Sequence, residues 1–360
     1  MTLVPAEAGR NISVVAVPNF TESPHSGVQR FGFILLPGFS LMSVASAIEP
    51  LRAANTLAGS LLYQWQVYVL DGDRAIASCG AQMPGIALTE MHDSDLPLDT
   101  VFICTGGTPV DWDYPELVNH LPRLDQDGVR LGGISGGAYL LAQCRLLAGR
   151  RFTLHWEYAP ALQEAFPTLS PEPARFVLDR DRITCGGGVA AMDMMHGLMA
   201  QRHGAAFARQ VADWFLHRRV DEPQAPQRGS TAQRFQVQHP LVILALETME
   251  RCLSEPVSRP AMATQLGVST RQLDRLFRCH LGATYHQQYL LMRLEHARLL
   301  LQQSALPVMQ VAVACGFNSA THFSRRYRDL FGQTPRNGRM AGPQGVQINS
   351  GALAKEIVRE

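Results

Sequence analysis

Ser135 lies in the run Gly-Gly-Ile-Ser-Gly-Gly at residues 132–137, after a strand-like stretch and before a helical one. The spacing Gly133-x-Ser135-x-Gly137 fits a nucleophile elbow, in which flanking glycines allow a strained turn that thrusts one side chain out. A serine hydrolase also needs a histidine and an acid to activate that hydroxyl. His155 and His196 follow, but nothing in the sequence pairs either with both Ser135 and a carboxylate. A second chemistry needs neither. Backbone N–H groups at an elbow and a helix start favour an anion, typically a carboxylate. Ser135 adds a hydroxyl donor there, and the Gly106-Gly107 pair can bring backbone close. No metal or cofactor is expected: the seven cysteines show no CxxC or Cys/His ligand spacing. Scattered through apolar segments, they suit buried free thiols in a reducing cytosol.

The other residues with chemistry in their spacing are arginines. Residues 239–339 hold 12 arginines, no lysine and 6 acidic residues, a net +6 that leaves −5 for the rest of a chain of formal charge +1. One basic end on a neutral protein is the footprint of a separate polyanion-binding unit. That end also repeats itself at an offset of 50 residues. LDRLFRCHLGAT (273–284) lies over FSRRYRDLFGQT (323–334), so that Arg275 matches Arg325, Phe277 matches Tyr327 and Gly282 matches Gly332.

Each copy reads as a helix-turn-helix. In the first, residues 260–266 form a short helix, Gly267-Val268 turns, and Ser269 caps a helix over 270–280. In the second, 308–315 is followed by Gly316-Phe317, and Ser319 opens a helix to Phe331. Leu273, Leu276 and Phe277, or Phe323 and Tyr327, make the inward stripe. Arg271, Gln272 and Arg275, or Thr321, His322, Arg325 and Arg326, point outward. Arginine and glutamine reach base edges in the major groove, and the hydroxyls of Ser269, Thr270 and Ser319, with Asn318 beside them, reach phosphates. Residues 285–303 contain no Gly or Pro and read as one joining helix. Its length, about 28 Å at 1.5 Å per residue, can hold two recognition helices near successive grooves about 34 Å apart.

These groups need a frame to position them. At 360 residues, 46% hydrophobic and 18% charged, the chain is long enough for two globular domains, and no run approaches the about 18 apolar residues that cross a bilayer. Residues 31–36, 65–71, 98–104 and 129–134 read as short apolar strands. Residues 43–57, 116–124 and 137–147 read as helices between and after them, and 192–219 as a long closing helical stretch. Such alternation predicts an α/β domain with a flavodoxin-like parallel sheet over 30–220. Residues 1–29 are expected as a disordered extension, 221–238 as a polar extended linker, 239–340 as an all-α domain, and 341–360 as a loose tail.

GFNSATHFSRRYRDLFGQTP (316–335) closely resembles the signature of AraC/XylS-type regulators, and TYHQQYLLMRLEHARLLL (284–301) their linker helix. Two positions depart: Tyr285 stands where proline is frequent, and Gly338 where a closing aromatic is expected, so the last helix should end loosely. The front domain resembles the PfpI-like branch of the class I glutamine amidotransferase fold, through residues 31–55, TGGT (105–108), the Ser135 elbow, TLHWEY (153–158) and 183–199. Together this is the layout of GlxA-family regulators. The enzymes carry Cys and usually His where this chain has Ser135 and Gly136. Loss of a thiol that could ionise implies a pocket that binds without turnover. The competing expectation is a serine hydrolase or amidase fused to a DNA-binding domain. The resemblance puts Phe39, Ser40, Gly136, His155, Trp156 and Tyr158 around the same mouth, where aromatic faces suit a quaternary ammonium group. The front domain looks most like betaine- and carnitine-responsive members, which implies a small zwitterion, with amino acids such as arginine competing. The implied protein is a cytoplasmic regulator, an activator of catabolic genes. It would bind a double-stranded operator, a small effector and RNA polymerase, and dimerise through its front domain, with no membrane contact.

Overall fold

A computed structural model describes residues 27–93 and 97–340. Most of the expected extension and the whole expected tail therefore lie outside the described residues. The front unit runs β1 (Gln29–Leu35), α1 (Leu41–Ala58), β2 (Tyr63–Val69), β3 (Arg74–Ile76), β4 (Gln82–Pro84), β5 (Ile86–Ala87), β6 (Thr100–Thr105) and α2 (Pro115–Gln126). It continues through β7 (Arg130–Ser135), α3 (Gly137–Gln143), α4 (Ala159–Ala165), β8 (Phe176–Asp179), β9 (Arg182–Cys185), α5 (Ala190–His203) and α6 (Ala205–Trp214). Gln29, expected in the extension, is the first residue of β1.

The main sheet has the order β5-β2-β1-β6-β7-β9-β8, with β3 and β4 as a separate ribbon. All its pairings are parallel except β8 with β9. Period-two alternation explains how helices cover both faces. Phe33, Leu35 and Phe102 point into a core with α1, α5 and α6. Their neighbours Ile34, Leu36, Val101 and Ile103 point into the opposite core with α2 and α3. From β1 the chain goes outward to β2 on one side and later to β6 on the other. In doubly wound sheets, ligands bind at such a reversal, beyond the carboxyl ends of the strands.

The stretch 192–219, read as continuous, is two helices, because Gly204 breaks it at φ 86. The run after the elbow stops at Gln143, short of the expected 147. None of the seven cysteines is bridged, and Cys79 and Cys279 are exposed rather than buried. Among the described residues no helix is long and apolar enough to cross a membrane.

The second unit is all-helical: α7 (Thr231–Phe235), α8 (Pro240–Arg251), α9 (Arg259–Gln265), α10 (Thr270–Leu281), α11 (Tyr285–Gln303), α12 (Val308–Ala314), α13 (Ala320–Phe331) and α14 (Pro335–Met340). The 50-residue repeat extends to its capping serines and closing glycines. Ser269 and Ser319 accept the N–H of Gln272 and His322. Gly282 and Gly332 end their helices at φ 69 and 72, in the left-handed region where a side chain is strained. Each copy has its own core, one around Leu273 and Phe277 and the other around Phe323 and Tyr327. Helix α11 serves both, sending Tyr285, Tyr289 and Met292 into the first and Leu294, Ala297 and Leu301 into the second.

The segment 221–238, expected as extended linker, is docked along its length. Arg175 N–H donates to the carbonyls of Pro223 and Ala225. Ser230 and Gln233 form a capping box that starts α7. Val237 is buried in the first helical core, and Phe235 packs against it. Polar composition hid this, because the anchoring groups are hydrogen-bonding side chains rather than an apolar stripe.

Candidate functional site

The outer faces of α10 and α13 carry the basic groups. Arg271, Gln272 and Arg275 are exposed on α10, while Leu273 and Phe277 are buried. On α13 Thr321, His322 and Arg325 are exposed and Arg326 is half-buried. Among the described residues no carboxylate pairs with Arg271, Arg275 or Arg325, so their charge is left for a polyanion. Two expectations change. Gln272 is tied back, its Oε1 accepting the Ser269 N–H at 2.8 Å, so only its amide N–H groups face outward. His322 lies against Phe317 and beside the Arg326 Nε at 3.4 Å, so it braces an arginine. Ser269 and Ser319 use their hydroxyls as caps. Thr270 is half-buried, and Asn318 is exposed at the turn.

The spacing between these faces is set by α11. Arg293 donates from Nε to the Cys315 carbonyl and from Nη2 to the Gly316 carbonyl, both at 2.7 Å, with its guanidinium 4.1 Å over the Phe317 ring. Tyr285 and Tyr289 donate to the carbonyls of Val257 and Cys252 at 2.7 and 2.6 Å. Tyrosine at 285 therefore replaces a stiff residue with a tethered one. A Cβ at position 338 would lie 2.5 Å from the Tyr327 hydroxyl, which fills the space of the expected aromatic. The end of the domain is tied as well, since Arg339 donates to the Leu306 carbonyl.

At the other end of the molecule the elbow is formed as the glycine spacing predicts. Ser135 has φ 61 and is 8% exposed, a conformation that costs about 1–3 kcal/mol and clusters at functional sites. A Cβ at Gly136 would lie 2.2 Å from Trp112 Cη2, so that indole fills the space a histidine would take. Trp112 is fixed by donation to the Gly106 carbonyl at 3.0 Å. Gly106 packs against the Gly38 backbone, whereas Gly107 has open space before it. Ser40 caps α1 by accepting the Ser43 N–H at 3.3 Å. Phe39, expected at the mouth, is fully buried in the core beside the α1 start, so its ring offers no face to a ligand.

The loop after α3 brings two of the expected residues, His155 and Tyr158, to Ser135, while Trp156 turns to Gln227 and Arg228. His155 N–H donates to the Ser135 carbonyl at 3.1 Å. Tyr158 stacks edge-on to Trp112 at 5.1 Å. Burial pushes its phenol well up, Glu157 adds to that, and a hydrogen bond with Ser135 opposes. Burial lowers the His155 pKa, and its Nδ1 faces the Glu157 N–H at 3.4 Å, which assigns a neutral ring with the proton on Nε2. The Glu157 carboxylate 3.8 Å away is then no ion pair. Burial lowers the His196 pKa, with Arg209 and His217 adding to that and Asp193 opposing, so its charged neighbours are not those of Ser135. Among the described residues no histidine nitrogen or carboxylate is hydrogen-bonded to Ser135 Oγ. Ser135→Ala is accordingly expected to leave hydrolase or amidase activity at background, and stoichiometric labelling of Ser135 by a fluorophosphonate would contradict it.

Comparison with known proteins bears on the whole chain. A family model described as a helix-turn-helix domain matches residues 262–340. The chain is 52% identical over 314 residues to the HTH-type transcriptional regulator GlxA of Rhizobium meliloti, spanning 87% of this chain and 96% of that protein. The chain belongs to the GlxA family of helix-turn-helix transcriptional regulators. A second GlxA-type relative, the HTH-type transcriptional regulator CdhR of Pseudomonas aeruginosa, is 42% identical over 316 residues, covering 88% and 93% of the two chains. A solved AraC family transcriptional regulator from Pseudomonas putida is similar at 32% identity and TM-score 0.48, covering 52% of this chain and 99% of that one.

As a GlxA-family member the chain is a DNA-binding transcriptional regulator and not an enzyme. Sequence reasoning missed four residues that shape it: Trp112 over Gly136, Arg293 between the two helix-turn-helix units, and Gln227 and Arg228 in the docked segment. Their partners lie far off in sequence, and no local spacing announces them.

Proposed function

We propose that this regulator senses a small zwitterion of betaine, carnitine or amino-acid type in its front domain and thereby controls catabolic genes in the cytoplasm. The observation that carries the reading is the course of loop 153–158. Its His155 touches Ser135, its Trp156 N–H donates to Gln227 Oε1 at 2.9 Å, and its Glu157 accepts from Gln303 of α11 at 3.2 Å. One loop therefore joins the elbow, the docked segment and the helix that spaces the DNA-reading faces. A ligand that moved this loop would move all three.

Ser135 and Gly107 supply donors for a carboxylate, and Trp156, 40% exposed, supplies an aromatic face for a cation. Activation through RNA polymerase and pairing of two copies through the front domain belong to the same proposal. So does the domain division. Because Val237 and Phe235 serve the helical core, the DNA-binding unit is best taken from about residue 230 rather than 239. The test is a thermal-shift screen of small zwitterions on the full chain, followed by operator footprinting with each hit. A hit should raise the melting midpoint and change the footprint, and Ser135→Trp should abolish both effects. If no zwitterion altered either measurement, the sensing role would be lost.

A further inference from the structure

Gln227 is the anchor of the docked segment. Its Nε2 lies 3.0, 2.8 and 2.6 Å from Thr153 Oγ1, the Leu154 carbonyl and the Ala174 carbonyl, while its Oε1 accepts from Trp156. That clamp fixes the next residue, Arg228, whose guanidinium carbon sits 4.4 Å above the Trp156 ring centroid. Among the described residues no carboxylate lies within ion-pair distance of Arg228. Glu250 and Glu295 attract it from farther off, and Glu250 is already held by Arg234 at 2.6 Å. Among the described residues the indole face is the close contact that Arg228 makes.

Beside this stack is a cleft of about 650 Å³ between loop 153–158, α7, α8 and α11, whose charged lining is Glu157, Glu250 and Glu295 against Arg228, Arg234 and Arg298. That volume is in the range of small-molecule sites, and domain junctions are where such sites often form. Its α11 wall carries groups that burial disfavours as ions: the Glu295 carboxyl is raised, and His296 is pushed down to about 4.

We propose that this junction cleft is a binding site for the cationic group of a small zwitterion, and that Arg228 occupies the Trp156 face as a resident cation until the ligand displaces it. The proposal rests on the sensing role above and adds its regulation. A guanidinium and a quaternary ammonium seek the same ring face, so one excludes the other. Arg228 leaves with the segment that carries α7 and Val237 into the DNA-binding core. Displacement is thereby felt by the unit that reads DNA.

The test uses the full-length chain, with tetramethylammonium as the bare cation and trimethylglycine as the zwitterion, both titrated by calorimetry. Arg228→Gln should bind each probe roughly three- to tenfold more tightly than the wild type. That is the factor by which a blocked fraction of about two-thirds to nine-tenths weakens apparent affinity. Arg228→Lys keeps a cation over the ring and should match the wild type, and Arg228→Gln with Trp156→Leu should lose the gain. An unchanged thermal midpoint in each variant establishes that it is folded. Should Arg228→Gln bind the probes equally or less well than the wild type, or should the gain survive without Trp156, the resident-cation proposal is overturned. The two readings fail separately. A footprint that responds to zwitterions and is silenced by Ser135→Trp, with no Arg228 effect, sinks this proposal alone. Tight tetramethylammonium binding by Arg228→Gln without any footprint response sinks the sensing role alone.

Discussion

Removing Arg271 and Arg325 together by alanine is expected to weaken specific operator binding by about 2–6 kcal/mol, the sum of about 1–3 for each base contact. Both side chains are exposed on the outer faces of α10 and α13, and neither has a carboxylate partner among the described residues. Arg271 is in the first turn of its helix, the part that meets base edges in such motifs. The two arginines belong to different units with separate cores, so the losses should add. In Kd this is roughly thirtyfold to more than ten-thousandfold. Footprints at fixed salt would read it out, and each single variant should uncover a different half of the protected site. A footprint unchanged in the double variant would mean that other groups read the operator. Arg293→Ala offers a contrast: it touches no DNA-facing surface of α10 or α13 but should loosen both half-sites together, because it ties α11 to the second turn.

What the sequence made legible is what local chemistry decides. The starts and ends of α10 and α13 follow from Ser269 and Ser319 and from Gly282 and Gly332, each of which acts on backbone within a few residues. The elbow follows from glycine spacing, and Ser135 takes the strained φ that the spacing implies. The two sheet faces follow from alternation in β1 and β6. Where tertiary contacts decide, the reading fell short. Strands β3 to β5 are two or three residues long and exist only through their pairing. Phe39 is turned into the core by the bridge its backbone makes with Ala77. Composition alone made 221–238 look unstructured, because the bonds of Gln227 reach residues 53 to 74 positions away. The capping role of Gln272 was within reach, since a Ser followed three residues later by Gln is a capping-box signature.

The largest stability effect should come from a residue that does no chemistry. Asp193 on α5 is completely buried, at 0% exposure. Its Oδ2 accepts from Arg175 Nε and Nη2 at 3.0 and 2.6 Å. Its Oδ1 meets His217 Nε2 at 2.7 Å and the Asp221 N–H at 3.3 Å. Replacing Asp193 by alanine leaves the Arg175 guanidinium largely buried, with only Asp221 Oδ2 at 3.4 Å to answer it. Breaking one side of a buried pair costs about 3–5 kcal/mol, a large part of the about 5–15 that holds a typical domain together. Denaturant titration should show that loss in the front domain, with a smaller one for Asp193→Asn, which keeps an acceptor oxygen. A change below about 1 kcal/mol in the alanine variant would mean that water reaches and solvates Arg175. The effect should also travel. His217 and Asp221 lead directly into the segment that carries Gln227 and Arg228, so the alanine variant should be cut within 221–238 at protease doses that leave the wild type whole. If both chains were cut there at the same rate, the docking of that segment would not depend on Asp193, and the coupling between the front domain and the DNA-binding unit would have to run through Gln227 and the Glu157–Gln303 contact.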